Sequence, residues 1–303
     1  MDKAEKKQLI AMAESRTLTD REREKAPGAF IRLPMGVTHY ELKGEGKAVV
    51  LVHGYSTPYY IYDKLFARFV AAGYKVLRYD LFGRGLSDRL EADYTPALFS
   101  RQLEQLCEAL LPGERFILVG TSMGGSITTE FVKRNEGRVE QLILLAPAGM
   151  DSFKAPFYMK LCKIPGFGKR LFCAIGAKSL FNGCAKELIY SKEEADDYRR
   201  RFAQAMQYKG FVAATYSSLI HTILKTEQTV KAYEAVAAQQ VPMLVIWGTA
   251  DKTMPYYQIE RMKEICPHAR CITYENSGHI FLYDEGERTF KDMMAFLHEQ
   301  IRN

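Results

Sequence analysis

Short, mainly apolar runs recur along this chain and are separated by longer amphipathic stretches. The purest run contains no polar residue and covers Ala48–Val52. The other runs are Ala29–Leu33, Val37–Leu42, Lys75–Leu81, Phe116–Gly120, Gln141–Ala146, Met243–Trp247 and Cys271–Tyr274. Runs of this length between amphipathic helical stretches are typical of a parallel sheet whose two faces are covered by helices. The pattern predicts an α/β fold with a mostly parallel central sheet of about eight strands, the first two of which form an antiparallel edge.

The alternation of strands and helices stops at Pro147 and resumes only at Val241. The stretch between them is helix-like, is interrupted by proline and glycine, and is rich in Phe and Tyr. An insertion after the sixth strand would lie over the carboxyl edge of the sheet, where open α/β folds bind ligands. We therefore predict a polar N-terminal extension (1–28), a core (29–149 and 236–303) and a helical cap (150–235). The cap carries 14 Lys and Arg against 8 Asp and Glu, a surplus equal to the net charge of +6 of the whole chain.

The composition excludes several other classes of protein. Hydrophobic residues make up 47% of the chain and charged residues 26%, which is typical of a soluble globular protein. No apolar stretch approaches the ~18–20 residues of a membrane span, and the charged N-terminus lacks the apolar region of a secretory signal. Six scattered cysteines without a C-x-x-C pair favour a reducing compartment and no metal site. We expect a cytoplasmic protein that does not bind nucleic acid, because no recognition motif accompanies its basic surplus.

A serine between glycines follows one of the predicted strands directly. The segment Phe116–Val119 leads into Gly120-Thr121-Ser122-Met123-Gly124-Gly125, and an amphipathic helix follows. Glycines on both sides of a residue indicate a tight turn, and a G-x-S-x-G sequence between a strand and a helix is the context of a nucleophile elbow. Ser122 is therefore the predicted nucleophile.

A serine hydroxyl needs a base to remove its proton, and that base needs a carboxylate to orient it. Of the six histidines, His279 follows the last predicted strand and lies at the same sheet edge as Ser122. Asp251 comes shortly after the run Met243–Trp247, also at this edge. We therefore predict that His279 is the base and that Asp251 is its carboxylate.

With these motifs in this order, residues 29–301 resemble the α/β-hydrolase superfamily, in its branch of serine esterases and monoacylglycerol-lipase-like enzymes with a helical cap. The turn Asp80–Asp88 (DLFGRGLSD) is similar to the D-x-x-G-x-G-x-S turn of the family. This turn lacks the complete dinucleotide fingerprint, so we assign it to the scaffold and expect no cofactor.

The resemblance also implies the oxyanion donors. They are the backbone N–H groups of Met123, which follows the nucleophile, and of Tyr55, which follows His53-Gly54 in the HG-x loop of the family. The side chain of His53 is then expected to support this loop. Asp151 remains the alternative acid, because some lipases take their carboxylate from that position.

The residue at the nucleophile position limits the reactions that the resemblance implies. Serine, not aspartate, at this position argues against epoxide hydrolases and haloalkane dehalogenases, and Met123 stands where proline iminopeptidases carry tryptophan. The remaining expectation is hydrolysis of small-molecule carboxylic esters through an acyl-enzyme. A carbon–carbon bond hydrolase, a thioesterase and a slow-turnover small-molecule receptor stay open as alternatives.

The cap sequence also bears on the substrate. Residues 153–173 interleave large apolar groups with five cations and contain no acid. Such a segment is either a solvated helix packed on the core or an amphipathic surface at a lipid interface. In the second interpretation Phe153, Phe157 and Tyr158, together with Tyr55, line an acyl pocket. We then expect medium-chain acyl or monoacylglycerol-type esters as substrates and weak contact with a membrane surface.

Overall fold

Eight strands form one twisted sheet in the computed structural model, which describes residues 1–150, 161–186, 188 and 192–299. The strands are β1 (Ala29–Leu33), β2 (Gly36–Lys43), β3 (Ala48–Val52), β4 (Lys75–Tyr79), β5 (Phe116–Thr121), β6 (Val139–Leu145), β7 (Met243–Gly248) and β8 (Arg270–Tyr274). Their order is β1-β2-β4-β3-β5-β6-β7-β8. Only the β1–β2 and β2–β4 pairs are antiparallel within the described part of the chain. The predicted mostly parallel sheet with an antiparallel edge is thus confirmed.

Helices cover both faces of this sheet. The helices of the described residues are α1 (Lys3–Ala11), α2 (Asp20–Arg23), α3 (Asp63–Ala71), α4 (Pro96–Leu110), α5 (Met123–Arg134), α6 (Phe167–Gly183), α7 (Lys192–Met206), α8 (Phe211–Ser218), α9 (Thr226–Ala238), α10 (Gln258–Ile265), α11 (Phe281–Asp284) and α12 (Gly286–Glu299). A 3₁₀ turn, Tyr59–Tyr62, precedes α3, and a π turn, Leu219–Ile223, follows α8. Among the described residues, no helix has both the length and the apolar character that crossing a bilayer requires.

The central strands are apolar because both of their faces are covered. Every residue of β3, β5 and β7 is buried, and a fully buried Val or Leu side chain contributes roughly 1.5–3 kcal/mol relative to an exposed one. Since these strands are parallel, their carboxyl ends meet at one edge of the sheet. The residues that follow β3, β5, β7 and β8 are therefore brought together at this edge.

The residues between β6 and β7, which we call the insertion, contain α6 to α9. Helices α6, α7 and α8 share a second cluster of buried apolar residues that includes Phe172, Phe202 and Phe211. Helix α9 instead packs against α5, and the hydroxyl of Tyr233 donates a hydrogen bond to the carbonyl of Ala148 at 3.0 Å. The predicted cap limit at residue 235 consequently falls inside α9.

The N-terminal segment packs along the insertion. The carboxylate of Glu14 accepts hydrogen bonds from the N–H groups of Gly210 and Val212, each at 2.9 Å, where α8 begins. The backbone of Glu14 and Arg16 is hydrogen-bonded to residues 206–209. The guanidinium of Arg23 joins the same segment to the loop after β4. The segment predicted as a polar extension is thus attached to both the insertion and the core.

Candidate active site

Ser122 lies in a strained turn between β5 and α5. Its backbone has φ of 53° and ψ of −121°, a conformation that costs of order 1–3 kcal/mol for a residue other than glycine. Three backbone hydrogen bonds hold it there. The Ser122 N–H donates to the carbonyl of Leu145 at 3.0 Å, and its carbonyl accepts from Gly125 and Ala148 at 2.9 Å each. Only 8% of the surface of Ser122 is exposed, so this turn is buried.

Glycine allows the loop after β3 to approach this turn. A Cβ atom on Gly124 would lie 2.2 Å from the carbonyl oxygen of Val52, and one on Gly54 would lie 3.1 Å from the Cβ of Ser122. Any larger residue at position 124 would push the β3 backbone away from the elbow. The peptide that joins Gly54 to Tyr55 is therefore held beside Ser122.

The structure brings the predicted base and acid into contact. His279 Nδ1 lies 2.7 Å from Asp251 Oδ2, and the Asp251 side chain is fully buried. The other carboxylate oxygen of Asp251 accepts the N–H groups of Thr253 and Met254 at 2.9 and 2.7 Å. Because a carboxylate only accepts hydrogen bonds, His279 carries its proton on Nδ1 and keeps Nε2 as the basic nitrogen.

His39 and Asp80 form a second buried His–Asp pair. His39 Nδ1 lies 2.8 Å from Asp80 Oδ2, and its Nε2 lies 2.7 Å from the carbonyl oxygen of Pro27. Both ring nitrogens are thus occupied by structural partners. The pair ties β2 to the turn after β4 and has no nitrogen available for a reacting hydroxyl.

His53 fixes the peptide beside Ser122. The N–H of Leu81 donates to His53 Nε2 at 2.9 Å, so the ring carries its proton on Nδ1, which donates to the carbonyl of Gly54 at 2.9 Å. Burial lowers the pKa of His53 to about 4, which keeps the ring neutral and this tautomer in place. In a trans peptide the C=O and N–H groups point in opposite directions. The bond to the Gly54 carbonyl therefore sets the direction of the Tyr55 N–H.

Met123, the other predicted donor residue, is the first residue of α5. The first N–H groups of a helix have no acceptor within the helix, and the helix dipole makes this end favourable for negative charge. The Met123 N–H and the Tyr55 N–H thus belong to two segments that both border Ser122.

A cavity of about 310 Å³ contains Ser122 and His279 in its wall. It is lined by Gly54, Tyr55, Ser56, Thr57, Ile61, Thr121, Ser122, Phe172, Ser179, Leu180, Gly183, Cys184, Tyr198, Thr253, His279, Ile280 and Leu282. None of these described lining residues is Asp, Glu, Lys or Arg. Tyr55, which was predicted to bind substrate, lies in the wall, whereas Phe153, Phe157, Tyr158 and the alternative acid Asp151 lie outside the described residues.

Helices α6 and α7 supply wall residues that the sequence interpretation did not single out. Phe172, Leu180 and Gly183 come from α6, Cys184 from its end and Tyr198 from α7. Helical spacing on an aromatic-rich segment was the available signal for α6, and nothing comparable marked Tyr198. Cys184 is a possible competing nucleophile in this cavity, but burial raises its pKa to about 12. It is thus a neutral, unreactive thiol at physiological pH.

Comparisons with known proteins agree with the fold. The family model for the alpha/beta hydrolase fold matches residues 47–286. The chain belongs to the alpha/beta hydrolase family. This hydrolase is 26% identical over 266 residues to the AB hydrolase superfamily protein YisY of Bacillus subtilis, a match that covers 86% of this chain and 96% of the relative.

Solved structures share the fold of the hydrolase. A carboxylesterase of the ammonia-oxidizing thaumarchaeon Nitrososphaera gargenis superimposes with a TM-score of 0.74 at 22% identity, covering 90% of this chain and 99% of the other. An esterase from Exiguobacterium antarcticum gives a TM-score of 0.72 at 21% identity, covering 89% and 99%. At this level of identity the likeness concerns the fold alone.

The neutral state of His53 predicts a pH dependence of stability. Its pKa of about 4 in the folded protein lies below the ordinary value near 6.5, so the stability it contributes is lost as the pH falls through this window. Between pH 7 and pH 5 the free energy of unfolding of the wild type should fall by about 2 kcal/mol relative to that of His53→Gln. Urea unfolding at both pH values measures this difference. Parallel changes in the two proteins would contradict the assignment.

Proposed function

We propose that this hydrolase cleaves carboxylic esters through an acyl-enzyme intermediate on Ser122. The proposal depends on one observation above all. His279, which is paired with Asp251, and Ser122 in its strained elbow line the same cavity. No cofactor enters the proposed reaction, because the nucleophile, base and oxyanion donors all come from the chain.

In the proposed first step, His279 Nε2 accepts the proton of the Ser122 hydroxyl while the oxygen attacks the ester carbonyl. Asp251 holds the imidazole in the required tautomer and stabilises the imidazolium that forms. The carbonyl oxygen becomes an oxyanion, to which the N–H groups of Tyr55 and Met123 donate. His279 then gives its proton to the departing alcohol, and a water molecule repeats the sequence on the acyl-enzyme to release the acid.

The cavity favours an uncharged substrate of moderate size. Its volume of about 310 Å³ is at the lower end of the ~300–1,000 Å³ typical of small-molecule sites. The described wall offers apolar side chains and hydroxyl groups but no charged carboxylate, ammonium or guanidinium group. An ionised substrate group would remain without a partner there, at a cost that a neutral acyl chain avoids. We infer that medium-chain acyl esters, including monoacylglycerol-type esters, fit this wall.

The exposed residues of α6 and of the segments on either side of it support delivery of such esters from a lipid surface. Ile164, Phe167 and Ile175 are 45%, 52% and 42% exposed. Among the described residues from 161 to 186, Lys163, Lys169, Arg170, Lys178 and Lys186 are exposed, and no acid accompanies them. Cations beside exposed apolar groups suit an anionic bilayer surface. Because the inner side of α6 lines the cavity, contact at this surface would place lipid close to the proposed site.

The first test concerns the reacting residues. A fluorophosphonate probe should label the wild type once, Ser122→Ala should remain unlabelled, and Ser126→Ala, a buried serine one turn along α5, should be labelled normally. His279→Ala should lower kcat by on the order of 10³-fold or more, and Asp251→Asn should also be severe, because each removes the activation of Ser122. The readout is hydrolysis of a panel of esters and thioesters. Undiminished labelling of Ser122→Ala would refute Ser122 as the nucleophile. A large loss of kcat in Asp151→Asn would refute Asp251 as the acid.

The second test concerns the acyl pocket. Gly183 lines the cavity, and a Cβ there would meet no atom within 4 Å, so the side chain of Gly183→Leu should narrow the cavity without disturbing the helix. We expect kcat/KM for octanoate esters to fall at least about 10-fold relative to acetate esters, while the exposed Ala174→Leu on the same helix leaves the ratio unchanged. The ratio of kcat/KM for octanoate esters to that for acetate esters in Gly183→Ala should lie between the ratios of these two variants. Wild-type kcat/KM that falls steadily from acetate to octanoate would contradict the medium-chain proposal.

The third test concerns the lipid surface. Sedimentation with vesicles of mixed neutral and anionic phospholipid should retain the wild type at low salt and release it at high salt. Each cation near an anionic surface contributes about 1 kcal/mol, so Lys169→Glu/Arg170→Glu should weaken binding at least about 10-fold. Lys25→Glu/Lys291→Glu makes the same charge change elsewhere and should bind normally. If both double variants bind equally, α6 is not the lipid-facing surface.

A further inference from the structure

Arg84 is an arginine with no exposed surface in the turn after β4. Its guanidinium donates three hydrogen bonds, to the carbonyl of Tyr55 at 2.9 Å, to the carbonyl of Phe82 at 3.2 Å and to the hydroxyl of Ser218 at 2.7 Å. The rings of Tyr55, Tyr94 and Phe99 lie within 6 Å of it. Within the described part of the chain, none of its partners is a carboxylate.

A buried cation with only neutral partners is expensive. Removing a guanidinium from water costs several kcal/mol, and neutral oxygen acceptors offset less of this cost than a carboxylate would. Burial also lowers the pKa of Arg84 to about 10, which still leaves the group charged at neutral pH. An apolar residue would fill the same space without this desolvation cost. A role beyond packing is therefore required to account for Arg84.

The partners of Arg84 indicate that role. Tyr55 is held at its carbonyl by Arg84, and its phenol donates to the carbonyl of Thr215 in α8 at 2.9 Å. The preceding peptide is held by His53 through the carbonyl of Gly54. Tyr55 is thus fixed on both sides of its Cα atom and at the end of its side chain.

Two of these ties end on the same helix of the insertion. Ser218, which accepts from Arg84, is the last residue of α8, and Thr215 lies one turn before it. The Ser218 hydroxyl in turn donates to the carbonyl of Ala214 at 3.0 Å. Helix α8 and the loop after β3 are therefore connected through Arg84 and Tyr55.

We propose that Arg84 is a positioning residue that, together with α8, holds the Tyr55 N–H in the direction required to donate to the oxyanion. This inference rests on the proposed ester hydrolysis at Ser122. Arg84 does not touch the substrate. Its hydrogen bond to the Tyr55 carbonyl restricts rotation of the loop, so that the donor is already oriented when negative charge develops. The insertion consequently contributes to the oxyanion site as well as to the cavity wall.

The test compares an aryl ester with the thionoester of the same acyl group, in which sulfur replaces the carbonyl oxygen. A sulfur anion is a weaker hydrogen-bond acceptor than an oxyanion, so loss of an oriented donor should slow the ester more than the thionoester. For Arg84→Met we expect kcat for the ester to fall on the order of 10²-fold, with KM within about threefold of wild type. The ratio of ester to thionoester kcat should fall at least about 10-fold.

Arg89→Met provides a matched control. Arg89 is a largely buried arginine in the same turn, and its guanidinium donates to the carbonyls of Gly85 and Ser87, not to the loop after β3. This variant should keep kcat and the ratio within about threefold of wild type. A folded Arg84→Met protein with an unchanged ratio, or with kcat within threefold of wild type, would overturn the proposal.

If Arg84→Met does not fold, two milder variants decide the question. Ser218→Ala removes one partner of Arg84, and Tyr55→Phe removes the bond to Thr215. Each should lower the ratio at least about threefold, and an unchanged ratio in both would overturn the proposal. Ser122→Ala in the same assay distinguishes failure of the proposed function from failure of the Arg84 proposal. Undiminished hydrolysis by this variant refutes the proposed function, whatever the result for the Arg84 variants.

Discussion

The strained backbone of Ser122 is the constraint on which the rest of the site depends. A residue with φ of 53° in mid-chain persists only where its surroundings fix it from several directions. Here β6 fixes it through Leu145, the segment after β6 through Ala148, and its own helix through Gly125. The strained conformation determines where the Ser122 side chain lies. It places one side chain at the carboxyl edge of the sheet, at the beginning of a helix, where His279 and the loop after β3 also arrive.

The fold and the proximity of Ser122, Asp251 and His279 could be predicted because their signals are local. Buried parallel strands require continuous apolar runs, and the elbow requires glycines two positions before and after Ser122. The contact between His279 and Asp251 could be expected because parallel strands of similar length end at one edge, so that residues after β7 and β8 lie near each other. Boundaries were less accurate. The strand expected over Lys75–Leu81 ends at Tyr79, where the backbone leaves the sheet for the turn that contains Arg84.

The positions of Arg84, Glu14 and Tyr198 could not be inferred in the same way. Each takes its role from a partner far away in the sequence. Arg84 bonds to Ser218 across 134 residues and Tyr198 to Thr57 across 141. The residues next to these positions in the sequence do not indicate such a contact. A polar residue in a helical segment is usually exposed to solvent, and an aromatic one is usually packed in the core. The turn Asp80–Asp88, which was assigned to the scaffold, therefore gave no sign that one of its residues reaches the loop beside Ser122.

The attachment of Glu14 to α8 has a consequence for the order in which the molecule assembles. Its carboxylate satisfies two N–H groups that lie 196 and 198 residues further along the chain. Closing a loop of this length carries a large entropic cost and contributes to slow folding. Glu14 therefore cannot make these contacts until residues 210–212 have been synthesised. The beginning of α8, and with it the anchorage of Tyr55, thus depends on a contact between residues that are far apart in the sequence.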